Sequence, residues 1–375
     1  ASMTSTPTLD LSSPDHLVAS LPYLLGFTPC ESLVIVWTKQ RRLLLTQRVD
    51  LPPSDGSVDL EHFASALVRP LLMHSPNEAI IVVAGDVALD AAGPQLPASP
   101  AEPFGAAADR AVLSFQVGDA LPMRDLVEAV GRALDEMNVA VKDALYLERD
   151  RFCSYLCEDA CCPEAGRRVD PVVANAVGAS FAVRGVTALQ SRSELVSVLE
   201  PDPTGVARLE PILIERELEI DDLLGDAKGP GIEQWRDEQV ERITALILED
   251  GELSDDESVT VLVGLCDVRV RDTVLWFLSR TEHGFGCLDR LLLTLQLAPN
   301  GYVAPIATCA ALVAWLLGDG ARAMIAIERA LNDDPDYSLA ALIGGSLAAG
   351  LPPTAWNEVM QGLSVETCRA RPPAA

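Results

Sequence analysis

Apolar positions recur in short blocks from residue 14 onward, and the period of the pattern changes along the chain. Ser13-Pro14-Asp15 followed by His16-Leu-Val-Ala-Ser-Leu-Pro-Tyr-Leu-Leu-Gly26 has an N-cap residue, a proline at the first helical position and a short apolar run. This predicts a short helix that Pro22 kinks or ends and Gly26 closes. Leu33-Val-Ile-Val-Trp37 and Leu43-Leu-Leu-Thr-Gln-Arg-Val-Asp50 predict a β-hairpin with Lys39-Gln-Arg41 at its exposed tip. The first of these strands is apolar at every position, which places it centrally in a sheet and buried on both faces.

Leu60, Phe63, Leu67 and Leu71 then recur at near-helical spacing, giving an amphipathic helix that ends around Met73. Ala79-Ile-Ile-Val-Val-Ala84 reads as a second buried strand. Residues 87–108 are rich in Ala and Pro without periodicity, the composition of a long surface loop, and Ala111–Val117 adds a short strand. A helix from Pro122 to about Asn138 follows, then a second hairpin, Ala144–Leu147 with Arg151–Tyr155. Interleaved strands and helices with hairpins define an α/β N-terminal domain built on a mixed sheet.

Beyond residue 165 the period is helical to the end. Helices are expected near 171–179, 191–199, 208–225, 231–250, 256–265, 268–280, 284–297, 303–317, 319–333, 337–349 and 353–363, with breaks at Gly229-Pro-Gly231 and Gly251–Asp256. The expected organisation is an α/β domain over 1–165, a helical domain over 166–300, and a helical tail over 301–375 packed on the preceding helices. Ala311, Ala314, Ala323, Ile327, Ala330 and Pro335 look like one tetratricopeptide repeat, in which small residues let two helices approach closely. One repeat folds by stacking on its neighbours, either as a protein-binding concavity or as a helical cap.

Composition narrows the function. At 375 residues, 49% apolar and 22% charged, the chain can bury two or three real cores. A formal charge of −27 argues against nucleic acid, which is bound by clustered Lys and Arg; Lys39-Gln-Arg-Arg42 is the densest basic patch. Like-charge repulsion also disfavours anionic membranes, and no apolar run approaches the ~20 residues of a spanning helix. The opening Ala-Ser-Met-Thr-Ser-Thr-Pro lacks the basic-then-apolar pattern of a secretory leader, and Ala1-Ser2 before Met3 reads as a cloning scar. The expectation is a cytoplasmic protein that binds neither nucleic acid nor membrane.

The most pointed chemistry is Cys153-Ser-Tyr-Leu-Cys157-Glu-Asp-Ala-Cys161-Cys162-Pro163. Three readings stand side by side: reduced structural thiols, a zinc site held by Cys153, Cys157, Cys161 and Cys162, or a disulfide switch. The spacing lacks the two Cys-x2-Cys pairs that pinch a structural zinc, and Glu158 and Asp159 would raise thiol pKa values unless Arg167 or Arg168 comes near. The other cysteines, Cys30, Cys266, Cys287, Cys309 and Cys368, lie scattered and read mostly as small buried hydrophobes. Arg48 and Asp50 flank Val49, so both point to one face of a strand end, as a polar site at a sheet edge or as a local pair. Arg271-Asp272 reads as a helix–helix salt bridge. None of the four histidines stands in a metal-binding helix motif or a nucleophile elbow, and neither a Walker loop nor a dinucleotide fingerprint occurs. No catalytic constellation is recognised.

Pro22-Tyr-Leu-Leu-Gly-Phe27, Ser32-Leu-Val-Ile-Val36, Arg48-Val-Asp-Leu51, Cys157 with Cys161-Cys162-Pro163, Val270-Arg-Asp272 and Asp319-Gly320…Ala330-Leu331…Pro335 resemble the actinobacterial family catalogued as domain of unknown function 4192. The resemblance runs in order along nearly the whole chain and carries no assigned activity. It implies emphasis on Asp15, Arg48, Asp50, Cys157, Cys161, Cys162, Arg271 and Asp272 as members of recurrent motifs, with Pro163-Glu-Ala-Gly166 continuing the cysteine segment and Cys153 standing as an addition. Together these readings point to a non-enzymatic protein-binding or scaffold protein without a cofactor, its partner another protein. The alternative is a metal- or thiol-dependent enzyme or redox sensor using the Cys153–Cys162 cluster.

Overall fold

The structure is a computed structural model that describes residues 13–40, 42–85, 121–157, 166–183, 186–225, 230–249, 251–280 and 284–369. The chain divides into two compact units, Ala1–Ala188 and Leu189–Ala375.

The first unit begins with helix α1, Pro14–Leu25, entered through extended Ser13 and closed by Gly26 at φ 79°, the left-handed conformation that favours glycine at a helix end. The helix runs through Pro22 to Leu25 rather than stopping there. Proline removes a single backbone hydrogen bond in the second half of the helix, while Leu17, Val18, Leu21 and Leu25 keep the apolar stripe buried on either side of it. Strands β1, Ser32–Lys39, and β2, Arg42–Asp50, form the expected hairpin, with Gln40 at φ 51° in its turn. Helix α2, Leu60–Val68, is capped by the Asp59 side chain and tightens into a 3-10 turn, Arg69–His74. Strand β3, Glu78–Ala84, helix α3, Arg124–Glu136, and strand β4, Ala140–Glu148, follow. Strands β5, Arg151–Ser154, and β6, Arg167–Arg168, complete the sheet before helix α4, Pro171–Ala182. The expected loop over 87–108 and strand over 111–117 lie outside the described residues.

The six strands are ordered β2-β1-β3-β4-β5-β6. β3 and β4 are parallel and every other neighbouring pair is antiparallel, so the sheet is mixed as anticipated. β1 lies between β2 and β3 and is buried from Ser32 to Thr38. Side chains alternate between the two faces. Leu33, Ile35, Trp37, Ile81, Val83 and Tyr146 form one core with α2 and α3. Val34, Val36, Ile80, Val82, Leu145 and Leu147 are equally buried on the opposite face. Gln47 ties the layers together: its carboxamide accepts from Trp37 Nε1 at 3.1 Å and donates to the Leu67 carbonyl of α2 at 3.1 Å.

The second unit is a helical array: α5, Arg192–Ser197; α6, Pro203–Gly225; α7, Pro230–Leu248; α8, Asp255–Cys266; α9, Val268–Leu278; and α10, Phe285–Gln296. It continues with α11, Val303–Leu316; α12, Gly320–Asp333; α13, Ser338–Ala348; α14, Pro353–Gln361; and α15, Val365–Arg369. The periodicity anticipated all but α15, whose five residues are too few to show a period. α8 opens with a capping box between Ser254 and Glu257, which explains the sharp break after Gly251. α11 is buried at every position from Val303 to Trp315 and packs against α8, α9, α10, α12 and α13. A helix apolar all round can only be the centre of such an array. No helix among the described residues is long and apolar enough to cross a membrane.

Burial in this core pushes the thiols of Cys287 and Cys309 from 9.0 up to about 12. The unfolded chain therefore releases these protons first as pH rises, so their contribution is intact below pH 9.0 and is lost progressively up to about pH 12. Melting temperature measured against pH should fall through that window. The Cys287→Ala, Cys309→Ala double variant should show a shallower fall; an unchanged slope would assign the alkaline sensitivity to other groups.

Candidate functional site

Strand register places Ser32 and Asp50, two motif residues of the first unit, in one row across the sheet. Asp50 pairs with Ser32, Ser32 with Ala84, Ala84 with Leu147, Leu147 with Phe152, and Phe152 with Arg167. Directly paired residues share a face, so this row runs across the sheet on the side away from α2 and α3. It lies at the carboxyl ends of β2, β3 and β4, the edge where open α/β sheets place ligands.

α1 spans this row. At its start, the Asp15 carboxylate is buried and accepts from the Arg167 guanidinium and from the Asp170 backbone N–H at 3.0 Å. At its end, Phe27 lies under the Arg48 guanidinium, 5.9 Å from the ring centroid. Twelve helical residues cover about 18 Å, about three-quarters of the ~24 Å of five strand spacings, and the anchoring side chains at the two ends reach beyond the helix. α4 lies alongside, with Phe181 stacked on Tyr23 at 4.6 Å. The recurrent Asp15 and Arg48 thus anchor opposite ends of one helix and do not converge on a common reacting centre.

Arg48 is largely buried, donates from Nε to Ser32 Oγ at 2.9 Å, and pairs with Asp50 at 2.6 Å. Asp50 is 82% exposed, so the pair is local and solvent-screened on one side. Of the two readings open for these residues, the geometry is that of the local pair. Arg167 stacks over Phe152 at 5.4 Å, and Arg168 pairs with Asp150 across the β5 turn. The sequence did not single out Ser32 or Phe27 as site residues, and it considered Arg167 only as a charge near the cysteines. Their roles come from strand register and from the placement of α1.

Cys153 is buried on β5 opposite Tyr146. Gly166 stands at φ 70°, and a Cβ there would come within 3.2 Å of the Cys153 sulfur, so glycine meets both a backbone and a packing demand. Cys157 is partly exposed. Cys161 and Cys162 lie outside the described residues. Among the described residues no three His, Cys, Asp or Glu side chains gather as metal ligands would.

In the second unit, Arg271 corrects an expectation. Its carboxylate partner is the next residue of the same helix, Asp272, at 2.7 Å, rather than a residue of a neighbouring helix. The bond between helices runs from Arg271 Nη1 to the Tyr337 hydroxyl at 2.6 Å, with the guanidinium 5.3 Å from the Tyr337 ring centroid. Burial pushes the Tyr337 hydroxyl up to about 12, which keeps it a neutral acceptor for the arginine. α9 is thereby fixed to the start of α13. The side chain of Asp333 receives the Gly301 and Ala304 N–H groups at 2.9 and 3.0 Å, holding the start of α11 to the end of α12.

With the fold and these anchors in place, the chain belongs to the family described as Domain of unknown function (DUF4192), whose family model matches residues 14–354. No curated protein and no solved structure matches it.

The two anchors differ in burial, and their variants should differ accordingly. Asp15→Ala strips a buried acceptor from two donors and should lower stability by about 2 kcal/mol. Arg167→Ala should cost under about 1 kcal/mol, because this guanidinium is 53% exposed. Denaturant titration measures both; equal losses would contradict the clamp. Arg271→Met leaves the Tyr337 hydroxyl without its donor and should cost about 2 kcal/mol, with Tyr337→Phe costing less. A cost below that of Tyr337→Phe would mean the guanidinium does not hold the two helices.

Proposed function

We propose that this is a non-enzymatic cytoplasmic protein that acts by binding another protein through its helical unit. One observation carries the reading. Ile214 and Leu218, one turn apart on α6, are 59% and 63% exposed. Glu210, Glu215, Asp221 and Asp222 surround them, and none of these four is ion-paired among the described residues. An apolar stripe edged by free carboxylates is complementary to an amphipathic helix with a basic rim, read at i and i+4 positions. The excess of acidic residues over the whole chain adds long-range attraction for such a partner.

The α11–α12 hairpin followed by α13 supports a tetratricopeptide-like reading of the tail. Ala311, Ala314, Ala323, Ile327 and Ala330 are all buried, the pattern that small-residue helix pairing requires. In this reading the repeat is the scaffold's closing layer, and α6 presents the contact face.

The test compares wild-type protein with the Ile214→Glu, Leu218→Glu double variant as bait. A stoichiometric basic partner should be retained by the wild type, released by raised salt, and lost from the variant. The variant's melting temperature should match the wild type, since both side chains already face water. A partner that binds the variant equally well would sink this surface as the site.

A further inference from the structure

The first unit contains a cavity of about 150 Å³ between α3 and the β3–β5 region of the sheet. Its inner wall is apolar: Ile81, Val127, Val141 and Ala144, closed on one side by the Tyr155 ring. An apolar cavity of ~150 Å³ is large enough to admit a benzene-sized group. Two charged residues line the same cavity, Arg124 and Glu128. They stand four residues apart on α3, hence on one face of it.

Among the described residues these two charges form no ion pair with each other. Arg124 stacks over Tyr155, 5.7 Å from its centroid, and has no ion-pair partner among the described residues. Among the described residues Glu128 reaches Arg132 alone, at 3.9 Å, and Arg132 is itself held more closely by Glu61, at 2.5 Å. Arg124 also occupies the first position of α3, where no side chain caps the helix start. The partial positive charge there adds to that of the guanidinium. Tyr155 is held in place by its hydroxyl, which donates to the Pro122 carbonyl. Gly131, three residues beyond Glu128, lines the cavity, and a Cβ built there would meet nothing within 4 Å.

We propose that this cavity binds a free amino acid with an aliphatic side chain. The α-carboxylate pairs with Arg124, the α-ammonium with Glu128, and the side chain enters the apolar interior. A simple carboxylate would leave Glu128 as a repulsive neighbour, and a simple amine would leave Arg124 as one. A zwitterion satisfies both charges at once. This site lies in the α/β unit and is independent of the α6 surface.

Calorimetric titration of the full chain with L-leucine tests it, with 4-methylpentanoate and 3-methylbutylamine as probes lacking the ammonium and the carboxylate. Leucine should saturate with Kd of about 1 mM or tighter. Each truncated probe, and leucine on Arg124→Gln or Glu128→Gln, should bind at least about tenfold more weakly. Gly131→Leu should abolish binding by filling the cavity while the melting temperature holds or rises, since glycine is a poor helix former. The proposal is overturned by absence of saturable binding for leucine, isoleucine, valine and methionine alike. It is equally overturned if 4-methylpentanoate binds as well as leucine, or if folded Gly131→Leu retains full affinity.

Discussion

One buried carboxylate organises the first unit. Asp15 has left water, so it must be satisfied in place, and it is: by the Arg167 guanidinium from β6 and the Asp170 N–H just before α4. Residues separated by some 150 positions in sequence are thereby joined at one point. α1 is fixed across the sheet, the short β6 is held beside β5, and α4 begins where it can stack on α1. At the opposite end of α1, Phe27 lies under the largely buried Arg48 guanidinium, an apolar and cation–π contact, while Asp50 and Ser32 satisfy the arginine. Covering this face of the sheet depends on both ends being secured, since Val34, Val36, Ile80 and Val82 would otherwise meet solvent.

The helical unit solves the same problem differently. Its centre is α11, apolar all round and enriched in Ala, so neighbouring helices approach closely on every side. Polar side chains then fix their ends: Asp333 at the start of α11, Asp319 capping α12, and Arg271 bridging to Tyr337. These contacts contribute alignment more than raw stability, which burial dominates. Acidic side chains left unpaired among the described residues lie on exposed helix faces such as that of α6.

Much of the architecture was legible along the chain, and for identifiable reasons. β1 reads as a central strand because every residue from Leu33 to Trp37 is apolar, and only a strand covered on both faces tolerates that. The helices from α6 to α14 announce themselves through period and caps. α15 was missed because five residues carry no period, and β6 because two arginines carry no strand signal at all. On residue type alone, Arg271-Asp272 reads as a helix–helix pair. The partner across the interface is instead a tyrosine, which charge-based reasoning cannot find.

Local chemistry by itself therefore determined the element types, the caps, the doubly buried strand and the acidic character of the chain. Those follow from side chains acting within a few residues of their own position. Which anchors meet was decided only in three dimensions: Asp15 with Arg167, Arg48 with Phe27, Arg124 and Glu128 over one cavity. Such pairings depend on strand register and helix placement, which sum over many distant contacts and leave no periodic trace in the sequence.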